Sequence, residues 1–222
     1  MPTAPHPTGP RTLVSSFRLE RLMHVGRRAS TYRAYGPDGG VVALKLFLST
    51  PLAEPTAIGR FLRELSELSR FSHRALPRLL DHGVVEGGIP WLAADWLVGC
   101  DLETHRTRVG GLLPPHEVCE LGSALLEFLV AAHGVGLTHR NIKPSNLFLT
   151  ESGELRVLDF GVNGCLPPAE CPSIYGSPAF TAPERLHHPD AERDPRADLW
   201  SVGAALFTLA SGRHVHEGTP EE

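Results

Sequence analysis

Lysine is nearly absent from this chain: of 21 basic residues only two are lysines, Lys45 and Lys143, and the rest are arginines. Cysteine is scarce as well. Cys100, Cys119, Cys165 and Cys171 include no C-x-x-C pair, which excludes a disulfide scaffold and reads as free thiols of a reducing compartment. An excess of charge of one sign is missing too. A net charge of −4 and a pI near 6.3 create no large positive field, so nucleic acid is not expected as a partner. No apolar run reaches the roughly 18–20 residues a membrane span needs. The first fifteen residues hold four prolines and no apolar block, so they are not a secretory signal. Of twelve histidines, the His187-His188 and His214-Val215-His216 groups lack a third ligand, and no metal site is expected from them. A cytoplasmic location fits these absences. What remains is 41% apolar and 21% charged in 222 residues, enough for a sizeable core and unlike disorder, collagen or coiled coil.

Residues 1–16, rich in Pro, Thr and Ser, read as a flexible arm. From Phe17 to Tyr35 the pattern is strand, turn, strand. Gly36-Pro37-Asp38-Gly39-Gly40 is a turn that leads into the β-rich run Val41–Phe47. Ile58, Phe61, Leu62, Leu65, Leu68 and Phe71 then step along one face of a helix. Leu79–Glu86 and Ile89–Val98 read as two more strands joined at Gly87-Gly88. After Gly99 the character turns helical. Pro114-Pro115 opens a segment with Val118, Leu121, Leu125, Phe128 and Leu129 on one face, and short extended pieces follow at 147–149 and 155–158. A last helix is expected from about Asp198 to Ser211, apolar at Leu199, Val202, Leu206 and Leu209. The order is a five-stranded antiparallel sheet with one helix, then a mostly helical half, with a break near residues 95–100. Chains of two lobes often bind ligands in the cleft between them.

Both lysines fall inside short motifs. These are Val42-Ala43-Leu44-Lys45 and His139-Arg140-Asn141-Ile142-Lys143-Pro144-Ser145-Asn146, followed in order by Asp159-Phe160-Gly161 and Ala182-Pro183-Glu184. In order and spacing this set resembles the protein kinases, most of all the bacterial Ser/Thr kinases, over about residues 17–216. The resemblance implies an α+β, bilobal protein-kinase-like fold. Residues 1–16 would be the arm and 17–98 the N-lobe. Residues 99–222 would be a partial C-lobe, truncated after its central helix. It also implies ATP with Mg2+ as ligands, and a protein substrate or signalling partner.

Site roles follow from the same resemblance. Lys45 would meet the α and β phosphates as a compact ammonium charge. Glu64 would hold it as ion-pair partner, with Glu67 as the alternative. Asn146 and Asp159 would be the magnesium ligands. Adenine would bond the backbone near Asp95 to Leu97, between Ala43 and Phe148, with the small Ala94 at the rear of the pocket. Asp101 would meet the ribose hydroxyls, or else cap a helix. Lys143 would neutralise the transferring phosphate, Ser177 would touch the catalytic loop, and Ser173 and Tyr175 would be phosphosites near Arg140. Phe160, His139 and Leu68 would stack as an internal column anchored by Asp198.

Three departures from the family pattern stand out. Asn141 occupies the place of the catalytic aspartate, and a carboxamide is not a base. The phosphate loop keeps only Gly26 of three glycines: His24 and Ala29 replace the others, and Arg27 and Arg28 lie between. The helices that would follow the last one are missing, which would leave Glu184 buried without its arginine and the last helix without part of its cover. Two readings result: an ATP-binding kinase domain that transfers phosphate weakly or not at all, and a working Ser/Thr protein kinase.

Overall fold

Burial alternates along Ser30–Tyr35 and Val41–Leu46, at the centre of the sheet that makes the first half of the molecule. The computed structural model describes residues 12–26, 29–48, 52, 54–162, 178–187 and 194–215. They fall into two compact units, one of residues up to Ser72 with Pro77–Leu97, the other of His73–Leu76 and the chain from Val98 onward. The first unit contains β1 (Leu13–Val14), β2 (Phe17–Val25), β3 (Ser30–Tyr35), β4 (Val41–Leu46), α1 (Pro55–Leu68), β5 (Leu79–Val85) and β6 (Ile89–Asp95). Its strands form one antiparallel sheet in the order β1-β2-β3-β4-β6-β5.

The sheet has six strands rather than the expected five. The extra strand lies in the stretch read as an arm. Ser15, at φ 54°, turns the chain back so that Val14 pairs with Phe17 and is 4% exposed. The neighbouring prolines hid this hairpin: two residues are too few to show a period. One sheet face carries Phe17, Leu19, Tyr32, Ala34, Val42, Leu44, Leu46, Trp91 and Ala93 as a single buried cluster. The opposite face carries Lys45, in a cross-strand row that runs His24, Thr31, Lys45, Leu92, His82, because directly opposed residues share a face.

Helix α1 begins three residues before its first predicted apolar position, with Pro55 supplying a preset φ at the first turn. It buries Phe61 and Leu65 and ends at Leu68, short of Phe71. Ser66 Oγ lies 3.3 Å from His82 Nε2. Since His82 shares its row with Lys45, this contact sets α1 on the lysine's side of the sheet.

The second unit contains β7 (Gly99–Asp101), α2 (Leu102–Arg108), α3 (Pro115–Gly134), β8 (Leu147–Thr150), β9 (Leu155–Val157), α4 (Pro183–His187) and α5 (Pro195–Ser211). The three strands form a small antiparallel sheet, β7-β8-β9. Helix α2 follows Asp101, the residue expected as a ribose ligand or a helix cap, although its seven residues are too few to show an apolar stripe. Gly99 sits at φ 148°, and a Cβ there would stand 2.1 Å from the Leu149 carbonyl oxygen. The strand pairing of β7 with β8 therefore requires glycine at this position.

Helix α3 buries Leu121, Leu125, Phe128, Leu129 and Ala132. Helix α5 buries Val202 and Leu209, but Leu199 is 48% exposed, as are Trp200 and Phe207 to 38% and 45%. Glu184 differs from expectation: it is exposed, not buried. It opens the short α4, where its charge acts on the guanidinium of Arg196, so no isolated buried charge arises. Cys100 and Cys119 are free thiols. No helix among the described residues is long and apolar enough to cross a membrane.

Candidate functional site

The predicted site residues divide between the two units. In the first, β4 presents Lys45 and Ala43 on one face, and the register sets Ala43 against Ala94 and Lys45 against Leu92. The ammonium Nζ lies 6.0 Å from the centroid of Phe47. On α1, Glu64 is half-buried and Glu67 exposed, so of the two carboxylates Glu64 is the one turned inward. Its Oε1 accepts from Arg60 Nε at 2.7 Å. Asp95, at the end of β6, accepts from Arg78 Nη2 at 3.0 Å and from the Arg78 amide, and its own N–H donates to the Arg78 carbonyl at 3.1 Å. The adjacent Asp95 carboxylate keeps the Arg78 guanidinium above its ordinary pKa. Gly26 closes the β2–β3 hairpin by donating its N–H to the Ala29 carbonyl at 2.8 Å.

In the second unit the loop between α3 and β8 is fixed by a dense set of bonds to its backbone. Asp198 is 1% exposed. Its Oδ2 accepts the His139 N–H at 2.8 Å and faces His133 Nε2 at 2.9 Å, while its Oδ1 accepts the Arg140 N–H at 2.8 Å. Arg140 has a left-handed φ of 69°, rare for a residue with a side chain. Its carbonyl accepts from Arg185 Nη1 at 2.7 Å. The next carbonyl, of Asn141, accepts from Asn146 Nδ2 at 2.8 Å.

Asn146 lies in a single 3₁₀ turn, Pro144–Asn146, and is 6% exposed. Its backbone N–H reaches the Lys143 carbonyl at 2.9 Å, and its own carbonyl accepts from the Leu158 N–H at 2.8 Å. That bond places Asp159, the next residue after Leu158, beside Asn146. Asp159 also holds a left-handed φ, 59°. Strained backbone of this kind collects at functional positions. Asn146 Nδ2 donates to the Asn141 carbonyl, and Oδ1 is the acceptor of the same side chain. A carboxylate and one amide oxygen suit magnesium, which takes few protein oxygens and keeps waters and phosphates. Among the described residues no group of three or more His, Cys, Asp and Glu exists that would suit another metal.

Behind these loops Phe160 packs edge-on to Phe128 at 5.1 Å and to His139 at 6.0 Å, and His73 meets Phe128 at 5.4 Å. The sequence pattern does not place Phe128 and His73 in this stack, although Phe128 stands on the predicted apolar face of α3. The His139 ring is fully buried, and burial pushes its pKa down, against the opposing pull of Asp198 and Asp159. Neither ring nitrogen makes a hydrogen bond of good geometry among the described residues, although the Leu158 carbonyl is near enough to favour the cation.

Asp101 caps α2: Oδ1 accepts the Thr104 N–H and Oδ2 the Thr104 hydroxyl, both at 2.9 Å. Phe148 pairs with Asp101 across β7 and β8. Ser177, Ser173, Tyr175, Arg27 and Arg28 lie outside the described residues.

A twisted sheet with one helix, followed by helices around a strained loop that carries an Asn and an Asp-Phe-Gly turn, defines a kinase-type domain. Residues 17–222 match the family profile described as the protein kinase domain, and the chain belongs to that family. It is 38% identical over 190 residues to the Ser/Thr protein kinase PknK of Mycobacterium bovis, covering 84% of this chain and 17% of PknK. It is 33% identical over 212 residues to PknL of Mycobacterium tuberculosis, covering 93% of this chain and 52% of PknL. The chain thus spans about a sixth of one relative and half of the other. Among solved structures, the PknI kinase domain of Mycobacterium tuberculosis superposes with a TM-score of 0.78 at 27% identity, over 95% of this chain and 80% of that one. The fold is accordingly α+β and of the protein kinase type, with relatives among bacterial Ser/Thr kinases.

Proposed function

We propose that this domain binds Mg-ATP and transfers its γ-phosphate slowly or not at all, acting on a signalling partner through its nucleotide-bound conformation. The observation that carries this reading is the bond from Leu158 N–H to the Asn146 carbonyl, which joins Asn146 to the residue before Asp159, while Asn146 Nδ2 is held on the Asn141 carbonyl. In this reading Asn146 and Asp159 hold magnesium and Lys45 takes the α and β phosphates. Gly26 lies in the phosphate loop. Ala43 and Phe148 contact adenine, and the backbone from Asp95 to Leu97 bonds its edge. The Asp95 N–H is engaged by Arg78, so Leu97 is the donor of choice. Asp101 keeps a ribose role only beyond its cap bonds. Glu64 pairs with Lys45 by leaving Arg60; a half-exposed i,i+4 pair is worth only about 0.3–0.5 kcal/mol, a small barrier to exchange.

Asn141 limits the chemistry. Its amide can orient a hydroxyl but cannot accept the proton, and general-base help is worth roughly 10²- to 10⁴-fold. Lys143 still supplies positive charge to the transferring phosphate, which favours residual turnover. The second reading, an active Ser/Thr kinase of protein hydroxyls, draws on Lys143 and Ser177. No nucleic acid is proposed as partner, and the proposed location is the cytoplasm.

The test is a thermal melt with and without Mg-ATP, paired with label transfer from ATP to a generic protein acceptor. Mg-ATP at 100 times its Kd adds about 2.7 kcal/mol to stability, so a clear rise in Tm is expected, lost in Lys45→Met. Transfer near background that rises roughly 10²-fold or more in Asn141→Asp supports the first reading. Full transfer by the unaltered chain favours the second, and no rise in Tm overturns both.

A further inference from the structure

We propose that His24 is a phosphate ligand of the bound nucleotide, doing with an imidazole what a glycine-rich loop does with its backbone and making nucleotide affinity rise as pH falls. The inference rests on the ATP reading above and names a residue and a regulation for it. His24 opposes Thr31 across β2 and β3, and Thr31 opposes Lys45 across β3 and β4. The imidazole therefore rises from the face that carries Lys45, two strands away, or roughly 10 Å at ~4.8 Å per strand. His24 is exposed, so its ring is open to a ligand.

The ring borders Gly26. His24 Nε2 and Cδ2 lie 3.5 and 3.7 Å from where a Cβ on Gly26 would stand, and the Ala29 carbonyl oxygen lies 3.1 Å from the same point. That position is the one where a glycine loop lets phosphate approach the backbone. Here an imidazole edge borders it instead.

The charged neighbours within this unit favour an anion. Arg21 lies on the same strand, with Arg33 opposite it, and Arg33 is tied to Glu20. Lys45 stands on β4. On β5, His82 extends the same row and bonds Ser66. Helix α1 contributes Glu64, already held by Arg60, and Glu67. No carboxylate in this set bonds His24.

An imidazolium close to phosphate is stabilised by it, so nucleotide binding takes up a proton and affinity increases toward acid pH. Neither glycine nor glutamine can do this. One charge-assisted contact at an exposed site is worth roughly 3- to 10-fold in Kd.

Isothermal titration of the 222-residue chain with Mg-ATP at pH 6 and pH 8 tests the idea. The ratio of affinities at the two pH values is compared among the unaltered chain, His24→Gln and His24→Gly. The nucleotide's own titration is common to all three and cancels. The unaltered chain should gain about 3- to 10-fold more between pH 8 and pH 6 than either variant, and adenosine, which lacks phosphate, should show no such difference. Equal ratios in all three proteins overturn this inference while leaving the ATP reading intact. Failure of the unaltered chain to bind Mg-ATP at either pH overturns both. The glycine variant guards against a Gln-specific defect, and matching melts of the three free proteins exclude misfolding.

Discussion

Asp198 Oδ1 accepts the backbone N–H of Arg140 at 2.8 Å, and Arg140 holds a left-handed φ of 69°. A buried carboxylate on one helix thereby stabilises a conformation that Arg140 would not choose alone. Replacing Asp198 by Ala leaves the His139 and Arg140 amides without an acceptor. At about 1–3 kcal/mol per unsatisfied buried group, urea unfolding should show a loss of roughly 3 kcal/mol or more. A loss below 1 kcal/mol would mean that water replaces the carboxylate without penalty.

Asp101 separates a capping role from a ligand role. Asp101→Ala should lower stability by about 1 kcal/mol, because Thr104 loses its partner. Asp101→Ser keeps a capping oxygen, so its melt should match the unaltered chain. If the carboxylate also meets ribose, the serine variant should bind Mg-ATP several-fold more weakly at unchanged stability; unchanged affinity assigns Asp101 to the cap alone.

Burial of His139 makes a pH prediction. Its folded pKa is depressed, first by desolvation, so below the ordinary imidazole value near 6.5 the unfolded chain binds a proton that the folded one refuses. Stability is fully present above that value and falls as pH drops through it, by up to about 1.4 kcal/mol per pH unit. Urea midpoints at pH 7, 6 and 5 should decline more steeply than those of His139→Phe, a ring of similar shape with no proton to take up. Parallel slopes in the two proteins would show that His139 charges in place.

Gly99 offers a backbone test. An alanine Cβ would stand 2.1 Å from the Leu149 carbonyl oxygen, so Gly99→Ala must part β7 from β8. Gly153, at φ 82° with nothing within 4 Å of the built Cβ, should lose only about 1–2 kcal/mol as alanine, the cost of the left-handed backbone alone. Chemical denaturation should rank Gly99→Ala well below Gly153→Ala; the reverse order would contradict the strand pairing.

Much of this protein is legible in its residues without any coordinates. The β-rich run Val41–Phe47 and the apolar run Ile89–Val98 mark two strands, found at Val41–Leu46 and Ile89–Asp95, but only the folded sheet decides which residues are covered: burial alternates along the first and is continuous from Pro90 to Ala93 in the second. The motif strings single out Lys45, Asn146 and Asp159 by their resemblance to the protein kinases, and the phosphate and magnesium roles proposed for them rest on that resemblance. Local pattern could not reveal Val14 joining the sheet, Asp198 reaching back to His139 and Arg140, or Phe128 completing the ring stack. Each of these depends on atoms that are distant in sequence and meet only after packing. Asp101 and Glu184 teach the same lesson. A lone carboxylate has several possible partners, and the folded environment, through burial and the nearest donor, chooses between cap, ligand and exposed charge.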